Sequence, residues 1–374
     1  VDFYGDAKVT RLGIASSDWA KSIITPEGIP AMGGAGWIRI GQYVPYLDFD
    51  EIILGTLAFK RKTGRLCVAD WDQEIHGDLD ILIMQRYMNR TLIGDMAKSR
   101  QRENLVIVQD IDDWYWGISK LNSAWKQTHP AHNPDININH YKKVVVASDY
   151  VTTSTPYLAE RLSSFFPSKN IHIYENCVDF SRYTPRKHEE EEKPLIGWFG
   201  STAHRSGDLH LLQGVLSQIE DQFGFVHVGD MVGKHPDHSA FHEDVGIKEE
   251  SMVQRLPLMQ PADLYEKGFD YDIGIVPLVD LPFNRSKSWI KGLEYVAAGI
   301  PFIASPLPEY KRLKEEYGVG RIAKRPGDWL KHFNELRDPG IRQEEADKNL
   351  AAVRDHLDIK NGAAKLNGLL KSFL

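Results

Sequence analysis

Short apolar runs rich in β-branched residues recur along this chain, separated by stretches with helical spacing. The first half carries EIILGTLAF (51–59), DILIMQ (80–85), NLVIVQ (104–109) and KVVVAS (143–148). The second carries PLIGWFG (194–200), FGFVHVG (223–229), DIGIVPL (272–278) and PFIAS (301–305). Alternation of this kind predicts α/β folding around parallel sheets. Between the halves lies RKHEEEEKP (186–194). A run of glutamates flanked by lysines is incompatible with a core, so it is expected to be an exposed connector. With 374 residues the chain is long enough for two domains. The expected division is 1–185, an acidic linker at 186–194, a second domain over 195–345, and a helical segment over 346–374. That last segment has Leu350, Val353, Leu357, Leu366, Leu369 and Leu370 to pack back on the first domain.

The chain is 42% hydrophobic and 26% charged, a globular composition, and no apolar run reaches the length of a membrane span. Cys67 and Cys177 stand alone, so neither a disulfide framework nor a cysteine metal cluster is expected. With no leader pattern in VDFYGDAKVTRLG, a cytoplasmic location is expected. The formal charge of −7 argues against a surface that coats nucleic acid.

Four segments carry candidate chemistry. FNRSKSWIKGLEYVAAGIPFIAS (283–305) reads as a helix with Trp289, Ile290, Leu293, Val296 and Ala297 on one face, stopped by Gly299 and Pro301. Lys287, Lys291 and Glu294 share the opposite face. Arg285 and Lys287 at the entry oppose the helix dipole unless an anion lies between them. The alternative is a surface helix with an ordinary Lys–Glu pair. In GSTAHRSGD (200–208) a loop follows a strand, where open α/β sheets bind ligands. Gly200 and Ser201 offer donors there and Arg205 a charged clamp, with Asp208 capping a helix over 208–219. MGGAGWIRI (32–40) is glycine-rich, so Gly34 and Gly36 would let backbone approach a ligand, while Arg39 faces either the cleft or solvent. DIDDWYWG (110–117) places Asp110, Asp112 and Asp113 at a strand end, with Trp114, Tyr115 and Trp116 as a sugar-stacking surface. The histidines His235, His238 and His242 match no zinc spacing, so no metal is expected.

Taken in order, these segments resemble the retaining GT-B glycosyltransferases of the GT4-like group. ASDYVTTSTPYLAERL (147–162), IHIYENCVDFSRYTP (171–185), PLIGWFGSTAHRSGDL, FVHVGD (225–230), LPLMQPADLYEKGFDYDIGIVPL (256–278) and FNRSKSWIKGLEYVAAGIPFIAS are similar to consecutive motifs of that group, over roughly residues 80–330. The resemblance implies two Rossmann-like domains facing an interdomain cleft. It implies transfer of a hexosyl or pentosyl group from a nucleotide diphosphate sugar, UDP- or GDP-linked, to a hydroxyl, with retention and no required cofactor or metal. Glu294 would bind the ribose and the backbone near Leu258 the base. Ser201, Arg205 and Lys287 would meet the diphosphate, and Gly34 and Gly36 would approach it from the other domain. The group's paired glutamate falls on Ser286 here, so Ser286 or Asn284 would make its contacts, with Ser288 beside them in the donor motif. Asp110 and Asp112 would orient the acceptor, whether glycan, protein, lipid or modified base. The DIDD and GWIRI forms point toward phage and bacterial surface-glycan enzymes. Alternatives are a GT-B epimerase or phosphorylase, a metal-dependent transferase using Asp110 and Asp112, and a non-catalytic binding protein of the same fold.

Overall fold

A computed structural model describes residues 9–24, 30–32, 34–70, 72–100, 104–122, 124–202, 207–231 and 238–374. The strands, in chain order, are β1 (Arg11–Ser16), β2 (Trp19–Ile24), β3 (Pro30–Met32), β4 (Glu51–Lys60), β5 (Arg65–Ala69), β6 (Ile75–His76), β7 (Ile81–Gln85), β8 (Val106–Ile111), β9 (Tyr150–Thr153) and β10 (Ile171–Ile173). After the connector come β11 (Leu195–Phe199), β12 (Gly224–Asp230), β13 (Met252–Pro257), β14 (Ile273–Val276), β15 (Phe302–Ala304) and β16 (Arg321–Ile322). Among the described residues they form one eight-stranded sheet, β10-β9-β8-β7-β1-β4-β5-β6, one six-stranded sheet, β13-β12-β11-β14-β15-β16, and the small hairpin β2-β3. The six-stranded sheet is parallel throughout, and the larger one is parallel from β10 to β4. Its antiparallel edge, β4-β5-β6, follows from the tight turn after Lys60.

Each sheet is covered on both faces, which is why its strands read as continuous apolar runs. Leu209, Leu212, Phe225 and Phe333 pack on one face of the second sheet, and Tyr271, Leu293, Tyr295 and Phe302 on the other. The helix Ile359–Lys371 returns to the first sheet, burying Ile359, Leu366 and Leu370 in the cluster that holds Leu12, Ile14 and Tyr43. Side chains of this kind contribute ~1.5–3 kcal/mol each when fully buried.

Three expectations need correction. KVVVAS is not a strand. It ends the helix Ile138–Ala147, in which Tyr141, Val144 and Val145 are buried at helical spacing while Lys142 and Lys143 face solvent. Asn137 caps that helix through the Asn139 and His140 N–H groups, and the strand follows it as YVTT. The 208–219 segment is two short 3₁₀ turns, Leu209–Leu212 and Leu216–Gln218, not one helix. Gly214 takes φ +73° between them, and Asp208 is occupied elsewhere, accepting from Val279 N and Asn284 Nδ2. The connector is exposed only over 187 and 189–193. Arg186 bonds the buried Asp272, because a carboxylate buried just before β14 needs a charged partner, and the buried His188 donates from Nε2 to Gly299 O at 2.9 Å.

Candidate active site

A cavity of about 470 Å³ lies between the carboxyl ends of the two sheets. The second sheet supplies Phe199, Gly200 and Ser201 after β11, Val228 and Gly229 at the end of β12, and Leu258 to Pro261 after β13. It also supplies Lys287, Ser288, Lys291 and Glu294. The first sheet contributes Gly34, Ala35, Trp37, Asp112, Asp113 and Asn176. This is the crevice in which parallel α/β sheets bind ligands. Its floor is drawn tight by glycine. Gly200 and Gly229 adopt φ +139° and +113°, and a Cβ on Gly229 would lie 2.7 Å from Gly200 O.

The helix Ile290–Ala297 anchors the site. Leu293, Val296 and Ala297 lock it into the core, and Gly299 ends it at φ +71°. Glu294 therefore points into the cavity from a rigid element, only 6% exposed. Burial pushes its carboxyl up to about 7, against the pull of the Lys291 charge and the Tyr183 hydroxyl. Lys291 donates to the Phe199 carbonyl and sits 3.6 Å from the Phe199 ring centroid. Lys287 reaches across the cleft to 3.7 Å from Asp113 Oδ1. Arg285 does not crowd the start of this helix: it ends a separate short helix, Pro282–Arg285, and pairs with Asp280, while Lys287 lies between the two helices and reaches Asp113. A cation at a helix carboxyl end is favourable, so no anion is required there.

Of the residues expected from sequence, Gly34, Ser201, Leu258, Lys287, Ser288, Glu294 and Asp112 line the cavity. Arg205 and His235 lie outside the described residues. Gly36 is buried, and its N–H donates to Asp18 Oδ2 at 3.2 Å, a carboxylate that Arg86 grips at 2.7 and 2.8 Å. That N–H is therefore already committed to an anion of the protein. Asp110 is not in the cavity: it is fully buried behind it, accepting from Arg39 Nε (3.2 Å) and Nη2 (2.8 Å), Thr152 Oγ1 (2.8 Å) and the Tyr174 hydroxyl (3.1 Å). Arg39 does not face solvent, being 1% exposed, but it lines the inner wall of the cleft, bonded also to Tyr174 O and Asn176 Oδ1. Ser286 is likewise internal, donating to Phe283 O at 2.6 Å and accepting from Trp114 N at 2.9 Å. Asn284 is held by Asp208. Trp114 and Tyr115 are buried, and Trp116 stacks on Tyr141 at 5.6 Å, so these rings form core beside the cleft and not a stacking surface.

Sequence reasoning passed over two parts of the wall. Asn176 donates from Nδ2 to Ser288 Oγ at 2.7 Å, tying the two halves at the cavity. Trp37 Nε1 donates to the Tyr265 hydroxyl at 2.5 Å and closes one side. Asp113, expected with Asp110 and Asp112, does line the cavity and faces Lys287. Asn176 stood within the ENCVD motif, which was the available signal; the Trp37–Tyr265 pair spans 228 residues and left none. Among the described residues, the group placed to share a metal is Asp70, Glu74 and His76, and none of them lines the cavity.

No protein-family model matches the chain. It is similar to the putative teichuronic acid biosynthesis glycosyltransferase TuaH of Bacillus subtilis, 23% identical over 187 residues, 47% of this chain and 45% of that protein. The matched region thus spans about half the length of that relative. Among solved structures, it resembles the sucrose-phosphate synthase of Thermosynechococcus elongatus with a TM-score of 0.66 at 12% identity, covering 97% of this chain and 98% of that one. It also resembles Anabaena HepE, solved in complex with UDP and glucose, with a TM-score of 0.60 at 15% identity over 98% and 100% of the two chains. No helix among the described residues is long and apolar enough to cross a membrane. Two sheets, parallel through their cores and meeting carboxyl end to carboxyl end across a cavity, in the arrangement of these glycosyltransferases, give the chain the GT-B fold.

Proposed function

We propose that this chain is a glycosyltransferase that moves a sugar from a nucleotide diphosphate sugar to a hydroxyl acceptor. One observation carries the reading. Glu294 is a carboxylate held on a rigid helix inside a cleft between two sheets, with too few internal partners to keep it fully ionised. Ribose hydroxyls would supply the missing donors. The loop around Leu258 would then take the base. Ser201, Arg205 and Lys287 would meet the diphosphate, with Ser288 and Asn176 beside the sugar.

On this reading the bond from the sugar's anomeric carbon to the diphosphate oxygen breaks, and one to the acceptor oxygen forms. The departing phosphate oxygen takes the acceptor proton, and the sugar is delivered with retention. The cations and backbone N–H groups act by stabilising charge as it develops on the leaving diphosphate. No step requires a metal. Asp112 and Asp113, facing the cleft from the first sheet, orient the acceptor; Asp110 supports them from behind. The two sheets act as separate acceptor and donor domains that close on the substrates. Similarity to an enzyme named for teichuronic acid biosynthesis favours a bacterial surface glycan as acceptor. The UDP in HepE favours a UDP-linked donor.

A thermal-shift screen against UDP, GDP, ADP and CMP and their sugar conjugates, with and without EDTA, tests the reading. A rise in Tm with one nucleoside diphosphate, unchanged by EDTA, is expected. No rise with any nucleotide would remove the donor site from the account.

A further inference from the structure

β12 is an apolar strand, and on the face that carries Phe225 it also carries His227. The imidazole is 1% exposed and packs against both the Trp198 ring (5.2 Å, 27°) and the Phe241 ring (5.4 Å, 22°), which also touch each other at 5.8 Å. Any apolar side chain of similar volume would fill that slot. A histidine brings a polar N–H into the core, which costs about 1–3 kcal/mol unless it is bonded. His227 Nε2 lies 3.0 Å from Gly200 O. A carbonyl only accepts, so Nε2 carries the proton. Burial lowers the pKa of this ring, so the bond is made by a neutral imidazole.

Gly200 is where β11 turns into the cavity wall, and both Gly200 and Ser201 line that wall. In a planar trans peptide the carbonyl of one residue and the N–H of the next point in opposite directions. Fixing the Gly200 oxygen on the His227 side therefore aims the Ser201 N–H to the other side. Gly200 N is fixed as well, donating to Val228 O at 2.7 Å, and Gly229 has no side chain to displace the Gly200 oxygen. We infer that His227 is a positioning residue: from beneath the second sheet it sets the Gly200–Ser201 peptide so that its N–H serves the diphosphate of the donor. The inference rests on the donor-site reading above and adds to it a buried residue that never touches the substrate.

The test measures affinities for one nucleoside diphosphate and for its parent nucleoside by calorimetry. The pair used is whichever of UDP, GDP or ADP the unsubstituted protein binds. In His227→Phe the ring stack is kept and the donor lost. The diphosphate should bind about threefold to tenfold more weakly, the value expected for one hydrogen bond, while the nucleoside is unaffected. His227→Gln, which keeps an N–H at similar reach, should restore the ratio, and His227→Met, of matched length without a donor, should not. The Gln and Met pair carries the test should the Phe variant fail to fold. If the unsubstituted protein binds no nucleoside diphosphate, the donor-site reading falls and this inference with it. If it binds one, and diphosphate and nucleoside weaken equally or not at all in His227→Phe and His227→Met, the donor site stands and the positioning role is overturned.

Discussion

Asp110, on a strand of the first sheet, and Glu294, on a helix packed against the second, are both buried carboxylates beside the same cleft, and they are buried in opposite ways. Asp110 has no exposure and four donor atoms around it, two of them from a guanidinium. Everything it can accept, the protein already gives. Glu294 keeps a small opening to the cavity, with the Tyr183 hydroxyl and the Lys291 charge as its support. Lys291 itself is turned toward the Phe199 carbonyl and ring. A carboxylate closed on all sides holds a structure together. One buried yet short of donors is destabilising by itself and becomes favourable when a ligand brings donors. The difference separates architecture from site better than burial or charge alone does.

Breaking the closed carboxylate should have the largest effect. Arg39→Met leaves Asp110 uncompensated and should cost about 3–5 kcal/mol of folding stability, read by chemical denaturation. A loss under about 1 kcal/mol would mean that the network is not the structural unit described. The open carboxylate should behave in reverse. Burial raises Glu294 from 4.5 to about 7, so between those values the folded protein holds a proton that the unfolded chain has released. Its contribution to stability is therefore present at acid pH and falls as pH rises through that window. Glu294→Gln should match the unsubstituted protein near pH 4.5 and exceed it by pH 8, by on the order of 3 kcal/mol at most. Glu309, also raised to about 7, is common to both proteins and cancels in the difference. A stability gap that does not change with pH would contradict the open-carboxylate description.

The same contrast sharpens on the cations. Arg39 is consumed internally, whereas Arg205, outside the described residues, follows the strand end that opens the cavity. Arg205→Ala should weaken nucleoside diphosphate binding by about 1.5–3 kcal/mol and leave the bare nucleoside alone. Equal loss for both would deny it a phosphate role. The smallest effect separates two serines. Ser286→Ala removes the hydroxyl that donates to the Phe283 carbonyl and accepts from the Trp114 N–H, and should cost about 1 kcal/mol of stability without changing donor affinity. Ser288→Ala should do the opposite, staying within about 0.5 kcal/mol in stability while weakening sugar-nucleotide binding. Identical profiles for the two would erase the distinction between wall and support.

Much of the fold was legible because buried parallel strands are spelled as apolar runs: β7, β11, β14 and β15 each lie within a run visible in the sequence, and β8 and β12 overlap one. KVVVAS misled because three consecutive valines suit a strand, although the helix is decided by Asn137 and by tertiary burial of Tyr141. The half-exposed edge strand β13 carried no pattern at all. In the site, Glu294 was legible because its spacing from Lys291 places both on one helix face. Asp110 and Asp112 were indistinguishable by spacing. The residue that separates them, Arg39, is 71 positions from Asp110 and pairs with it only after the sheet forms. Ser286 and Ser288 differ for the same reason, through Trp114 and Asn176 on the other sheet.

The most direct test is calorimetric titration of the nucleoside diphosphate found in the screen into the unsubstituted protein and into Glu294→Ala at pH 8. The account predicts micromolar-range binding that weakens by at least about tenfold in the variant, equal to ~1.4 kcal/mol, with folding intact. Binding of equal strength in both proteins would contradict the claim that this cleft is a donor site built around Glu294.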